Sequence, residues 1–178
     1  MRRTIVIALA AVATLLGAAA PASAGTGSQP AGVVVHRPWV PWPSPPFDLA
    51  AGVTCDFAVH GEPTVDEVRT KVIEEYPDGS IKRQLATGAL KFRLTNTGTG
   101  ASTIADAGGS AVFDFFPDGS RTWHVIGPVL AGIREGTSNI PRGMWTINGV
   151  YDIAFSPTNF KTVTFYRGGL HDLCADLD

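Results

Sequence analysis

The residues best suited to nucleophilic, acid–base or metal chemistry are four histidines, His36, His60, His124 and His171, and two cysteines, Cys55 and Cys174. No two histidines stand at a metal-ligand spacing, and no CxxC or mixed His/Cys cluster is present, so no metal site and no cofactor are expected. G-x-S-x-G, H-E-x-x-H, a Walker loop and a Rossmann glycine pattern on a strand–helix unit are all missing. Two carboxylate–imidazole combinations remain. Asp114 and His124 flank a turn, and a carboxylate beside an imidazole can orient a general base. Ser110, Thr122 and Tyr151 are the hydroxyls that could be proposed as its nucleophile, but none is placed by a motif. His171-Asp172 adjoins Gly168-Gly169 and Cys174, where a helix start explains it without chemistry. No catalytic residue is assigned.

Aromatic residues offer a different chemistry. Trp123, Trp145 and Tyr151 could floor a small-molecule pocket with His124 as its polar group, because aromatic walls with few polar groups typify such sites. The competing reading is that these rings are core, which a β domain of this size needs anyway.

These residues must be positioned by strands. From Val53 onward, short runs rich in β-branched and aromatic residues alternate with turn residues: 53–60, 67–76, 80–86, 89–95, 110–116, 120–126, 129–133, 143–147, 150–155 and 160–166. No helix-length stretch has a 3.6-residue period, apart from a tail in which Leu170, Leu173 and Leu177 fit one or two turns. The pattern predicts an all-β domain over residues 49–178, a single antiparallel barrel or sandwich of about 8–10 short strands with a short helical C-terminal tail.

Turn chemistry sets the register. Tyr76-Pro77-Asp78-Gly79-Ser80 and Phe116-Pro117-Asp118-Gly119-Ser120 are the same three-residue hairpin loop, and Asn148-Gly149 is the preferred pair for a two-residue type I′ turn. The second PDGS turn places Phe113, Phe115 and Ala111 opposite Trp123, Arg121 and Val125 on one apolar face. The reverse face holds Asp114 opposite Thr122 and diagonal to His124. The Asn148-Gly149 turn would put Trp145 opposite Asp152 and Met144 opposite Ile153. Leu90, Phe92 and Leu94 alternate with Lys91, Arg93 and Thr95, a buried and a solvated side. The first PDGS hairpin mixes Ile73, Ile81 and Leu85 with Lys71, Glu75 and Arg83, so it extends beyond the core or lines a polar cavity.

Residues 1–24 read as an export signal: Arg2 and Arg3, an uncharged run from Ile5 to Ala20, and Ala22-Ser23-Ala24 before Gly25. The run falls short of the roughly 20 residues that span a bilayer, and no later segment replaces it. A secreted, extracellular protein is expected, with no membrane span after signal removal. Without Arg2 and Arg3 the 14 basic residues become 12 against 16 acidic, a mild −4 that argues against nucleic acid as a partner. In an exported chain an even cysteine count favours a Cys55–Cys174 disulfide, with a redox pair or metal ligands as the alternative.

Residues 25–48 differ from the rest. Pro30, Pro38, Pro41, Pro43, Pro45 and Pro46 are interleaved with Trp39 and Trp42, which reads as an extended polyproline-like arm. It either packs on the domain through its tryptophans or serves as a recognition segment or spacer.

The frame from Thr54-Cys55-Asp56-Phe57 to Asp172-Leu173-Cys174, with Thr95–Gly100 (TNTGTG) and the PDGS hairpin between, resembles an uncharacterised family of small secreted proteins from high-GC Gram-positive (actinobacterial) bacteria. The resemblance spans about 120 residues of the mature chain and implies secretion, a disulfide and an all-β domain, but no activity. The preferred function is a non-catalytic domain that binds a small ligand or cell-envelope component. The alternatives are a small barrel hydrolase or isomerase, and a structural or protein-interaction module.

Overall fold

A computed structural model describes residues 30–178; residues 1–24, read above as an export signal, lie outside them. The chain forms two antiparallel sheets, sandwich-like rather than a closed barrel, followed by one short helix. The strands are β1 (Val33–Val34), β2 (Val40–Pro41), β3 (Phe47–Leu49), β4 (Val59–Asp66), β5 (Arg69–Glu75), β6 (Ile81–Thr87), β7 (Leu90–Asn96) and β8 (Ser102–Asp106). They continue with β9 (Ser110–Phe115), β10 (Arg121–Ile126), β11 (Val129–Ile133), β12 (Gly143–Phe155) and β13 (Lys161–Asp172), and α1 is Leu173–Leu177. The smaller sheet runs β3-β4-β7-β8. The larger runs β1-β5-β6-β9-β10-β12-β11, with β13 on the far side of β12 and β2 beside β1 on β5.

Three short connections carry the chain from the small sheet to the large one or back: Glu67-Val68, Gly88-Ala89 and Ala107–Gly109. They lie side by side. Glu67 N–H donates to Ala89 O at 2.8 Å, Ala107 N–H to Leu90 O at 2.9 Å, and Gly109 N–H to Pro128 O at 2.8 Å. The corner is tight enough to demand glycine. At Gly88 φ is +144°, and a Cβ there would lie 2.3 Å from Glu67 O; one at Gly109 would lie 2.5 Å from Pro128 O.

Both PDGS loops form as expected. Gly79 and Gly119 each take φ +84°, and Tyr76 N–H donates to Ser80 O as Phe116 N–H does to Ser120 O. The second hairpin keeps the expected register throughout: Phe115 faces Arg121, Asp114 faces Thr122, Phe113 faces Trp123 and Ala111 faces Val125. A third loop of this kind joins β12 to β13 at Pro157-Thr158-Asn159, with Asn159 at φ +64° where the others have glycine.

Asn148-Gly149 is not a turn. A type I′ turn needs positive φ at both central residues, and only Gly149 has it, at +137°. The chain bends there and β12 continues, paired with β11 over its first half and β10 over its second. Trp145 therefore faces Asp172 and Ala131 rather than Asp152, which faces His124 and Thr164. Gly168, at φ +116°, packs against Gly149 from β13; a Cβ on either would lie 2.0 Å from a carbonyl oxygen of the other strand.

The arm is partly sheet. β1 and β2 add to the edge of β5, where Pro41 is tolerated because an edge strand can forgo a donor, and β3 pairs with β4. The helical tail is shorter than Leu170, Leu173 and Leu177 suggested, because Leu170 ends up in β13 opposite Ile147. Asp172 caps α1 by accepting from Cys174 N–H at 2.9 Å and Ala175 N–H at 3.3 Å. Cys55 and Cys174 form the disulfide, with Cα atoms 5.5 Å apart.

Two apolar clusters result. One gathers Val59, Phe92, Leu94, Met144, Leu173 and Leu177 around the disulfide. The buried Asn96 side chain braces it by donating to Leu177 O at 3.0 Å and accepting from Gly98 N–H at 2.9 Å. The other gathers Val125, Ile147, Tyr151, Ile153, Phe155 and Val163 inside the bend of β12 and β13.

Candidate functional site

The two clusters do not close on each other. Between them lies an apolar cleft of about 480 Å³, within the range of small-molecule sites. Its walls come from both sheets: Leu90 and Phe92 on one side, Ala111, Phe113, Trp123 and Val129 on the other. Ala86, Ala107 and Gly109 line it beside the corner, where larger side chains would have filled the space. The roof is the arm, through Trp42-Pro43-Ser44-Pro45 and Phe47.

The arm is held in three places. Arg37 donates twice to the Glu75 carboxylate at 3.0 Å, Trp42 N–H donates to Val68 O at 2.9 Å, and Ser44 N–H donates to Asp66 Oδ2 at 2.6 Å. Gly61 opposite Phe47 lets that ring lie across β4, since a Cβ there would sit 2.3 Å from it. Trp42 meets Phe113 edge-on at 5.7 Å, Phe113 meets Trp123 at 4.9 Å, and Trp123 meets Phe155 at 4.8 Å, with Arg121 stacked 4.1 Å over Phe155. This row of rings fixes one wall.

No lining side chain of the cleft is charged. The polar side chains in its lining are those of Trp42, Ser44 and Trp123, whose N–H and O–H groups have no hydrogen-bond partner among the described residues. A second lobe of about 390 Å³ continues from it past Ser44, Phe47 and Val129 to Leu49, Leu130, Gly132 and Met144.

Of the four residues singled out for ligand contact, only Trp123 lines this cleft. Trp145 packs against the second cluster, its Nε1–H donating to Pro141 O at 3.1 Å. Tyr151 is fully buried, its hydroxyl donating to Ile147 O at 3.1 Å, and burial pushes its phenol pKa well up. Both are core.

His124 points to the opposite face of the large sheet. There it joins a row of polar side chains crossing six strands, β5, β6, β9, β10, β12 and β13. Lys82 and Arg83 flank Glu74, and Arg83 pairs with Asp114 through Nη2 at 3.0 Å. His124 Nε2 lies 3.3 Å from Asp114 and its Nδ1 2.8 Å from Asp152, to which the Tyr166 hydroxyl donates at 2.6 Å. Of the charges on the mixed first hairpin, Glu74, Lys82 and Arg83 join this outer-face ladder, while Glu75 holds Arg37 of the arm. Burial alone would raise the Asp114 carboxyl, but the hydrogen bond and charge of Arg83, then those of His124, outweigh it and hold its pKa below the ordinary value. The Arg83 guanidinium is raised in turn, chiefly by its hydrogen bond to Asp114, and the Tyr166 phenol by its hydrogen bond to Asp152. Both imidazole nitrogens face carboxylates, and no hydroxyl hydrogen-bonds to the ring among the described residues. The hydroxyl in this ladder, that of Tyr166, donates to Asp152 rather than to His124. His124 also borders a shallow outer pocket of about 350 Å³ with Trp39 and Ile126.

His171 Nε2 pairs with Asp176 at 2.8 Å across the start of α1, and Asp172 is occupied as the helix cap. The cleft residues that the sequence did not single out are Trp42 and Phe47 of the arm and Phe92 and Phe113 of the sheets. A signal existed for Phe113, which shares the apolar face with Trp123. No family model, curated protein or solved structure matches this chain.

Proposed function

We propose that this is an exported, non-catalytic binding protein that holds an apolar small molecule between its sheets, beneath the Pro/Trp arm. The observation that carries this reading is the 480 Å³ cleft with no charged side chain in its lining. Protein interiors are ordinarily packed to crystal density with few voids larger than a water molecule, so apolar space of this size is suited to an apolar guest. The charge of the mature chain, its signal-like first 24 residues and its disulfide favour action outside the cell, where the source of such a guest would be the medium or the cell envelope.

The test is fluorescence of a neutral polarity-sensitive dye, N-phenyl-1-naphthylamine, titrated with the mature protein. Wild type should brighten and blue-shift it with saturation. Ala111→Phe, which projects a ring into the cleft, should weaken binding at least tenfold, while circular dichroism reports an intact fold. Equal dye response in the two proteins would sink the proposal.

A further inference from the structure

We infer that the guest is a long, single-chain, uncharged lipid, such as a fatty alcohol, ester or linear isoprenoid, threaded through both lobes of the cleft. This rests on the binding reading above and adds shape and charge to it. At about 30 Å³ per methylene-sized unit, 480 Å³ holds at most on the order of 16 such units. The first lobe alone would suit a compact ring system as well as a chain. The second lobe changes that. It adds about 390 Å³ in continuation, past the shared Ser44, Phe47 and Val129, and ends against Leu49 and Met144. Two lobes joined side by side favour a flexible chain over a rigid polycycle.

The polar groups decide the head. Among the described residues, Ser44 and the indoles of Trp42 and Trp123 leave their donors unused within the protein, so an acceptor oxygen that reaches one of them would be satisfied. Neither lobe has a cation to pair with a carboxylate or phosphate, and burying an unpaired charge is strongly disfavoured. The Asp66 carboxylate, which accepts from the N–H of the lining residue Ser44, would repel a second anion. An ammonium head would lack a buried carboxylate partner in the lining.

The experiment is displacement of the neutral dye by straight-chain alcohols of 8 to 24 carbons and by the matching carboxylates at pH 7.5. It uses wild type and Leu49→Trp, which fills the second lobe only. For wild type the dissociation constant should fall about fourfold per added methylene, the equivalent of roughly 0.8 kcal/mol each, and keep falling beyond the roughly 16 carbons that the first lobe alone can hold. In Leu49→Trp the gain should stop by about that length while dye affinity is retained. Carboxylates should bind at least tenfold more weakly than alcohols of equal length. Should Leu49→Trp misfold, Leu130→Phe tests the same lobe. Identical chain-length profiles in wild type and lobe-two variant overturn the chain, and equal affinity for carboxylates overturns the uncharged head. Failure of the dye to bind wild type instead refutes the binding reading itself.

Discussion

Opening the Cys55–Cys174 bridge should cost this domain a large part of its stability, and the loop length sets the size. The two residues are 119 apart in sequence and 5.5 Å apart in space, so the bridge closes nearly the whole described chain into one loop. On the chain-entropy treatment a loop of that length restricts the unfolded ensemble by about 4.9 kcal/mol at 25 °C. Marginal stabilities are on the order of 5–15 kcal/mol, so the loss approaches the total in the weaker half of that range. For a domain of this size it corresponds to a melting shift of roughly 10–20 °C. Replacing both cysteines by alanine and unfolding wild type and variant in urea measures it. If the effect lies in the unfolded state, the urea slope m should also rise in the variant, because the released chain exposes more surface on unfolding. A loss under about 1 kcal/mol with unchanged m would refute the reasoning. It would mean that the cap on α1 and the burial of Leu173 and Leu177 hold the tail without help.

Two further outcomes are expected. Asp114→Asn should lower stability at pH 7 by about 1–2 kcal/mol through the lost charge-assisted bonds to Arg83 and His124. Because the folded pKa of Asp114 is depressed, its contribution is complete above the unfolded value near 3.9 and lost as pH falls through the folded one; wild-type and variant stabilities should converge across that acid window, and a pH-independent gap would contradict the assignment. Gly149→Ala should cost about 3 kcal/mol or more in urea unfolding, since its Cβ would meet backbone 2.0 Å away at positive φ, whereas Gly79→Ala, also at positive φ but with open space around it, should cost only about 1–2 kcal/mol.

What was legible in the sequence was whatever local chemistry controls. Proline, aspartate and glycine at fixed offsets dictate a three-residue loop, and once the loop is known the pairing of Phe113 with Trp123 follows by counting. Alternation gave the buried side of β7 for the same reason. Asn148-Gly149 misled because its preference for a turn is only local: Gly168 across the ladder and the donation of Gly127 N–H to Gly149 O hold the backbone in a bend instead. Pro157-Thr158-Asn159 escaped notice because asparagine supplies the left-handed residue there. The cleft was the least legible part. Trp42 and Phe47 reach it from an arm whose contacts with Phe113 and Phe92 join segments some 45 to 70 residues apart, and no periodicity records such a contact.

The cleft and the corner have one origin. Strands that pass from one sheet to the other within two or three residues bring backbones close together, and Gly88 and Gly109 show how close, since neither admits a Cβ without collision. Next to them stand Ala86, Ala107 and Ala111, side chains too short to fill the wedge that opens as the sheets diverge. A domain selected only for stability would fill that wedge with larger residues, because an unfilled apolar void forfeits contacts on every wall. Here the roof is supplied by a separate segment, held at the sheet edge by two short strand pairings, the Arg37–Glu75 ion pair and the bonds of Trp42 and Ser44 to Val68 and Asp66, and at its end by the pairing of β3 with β4. Walls built from paired strands and a roof supplied by a separate segment leave apolar space between them, which is the physical reason for placing the ligand under Trp42 rather than at His124.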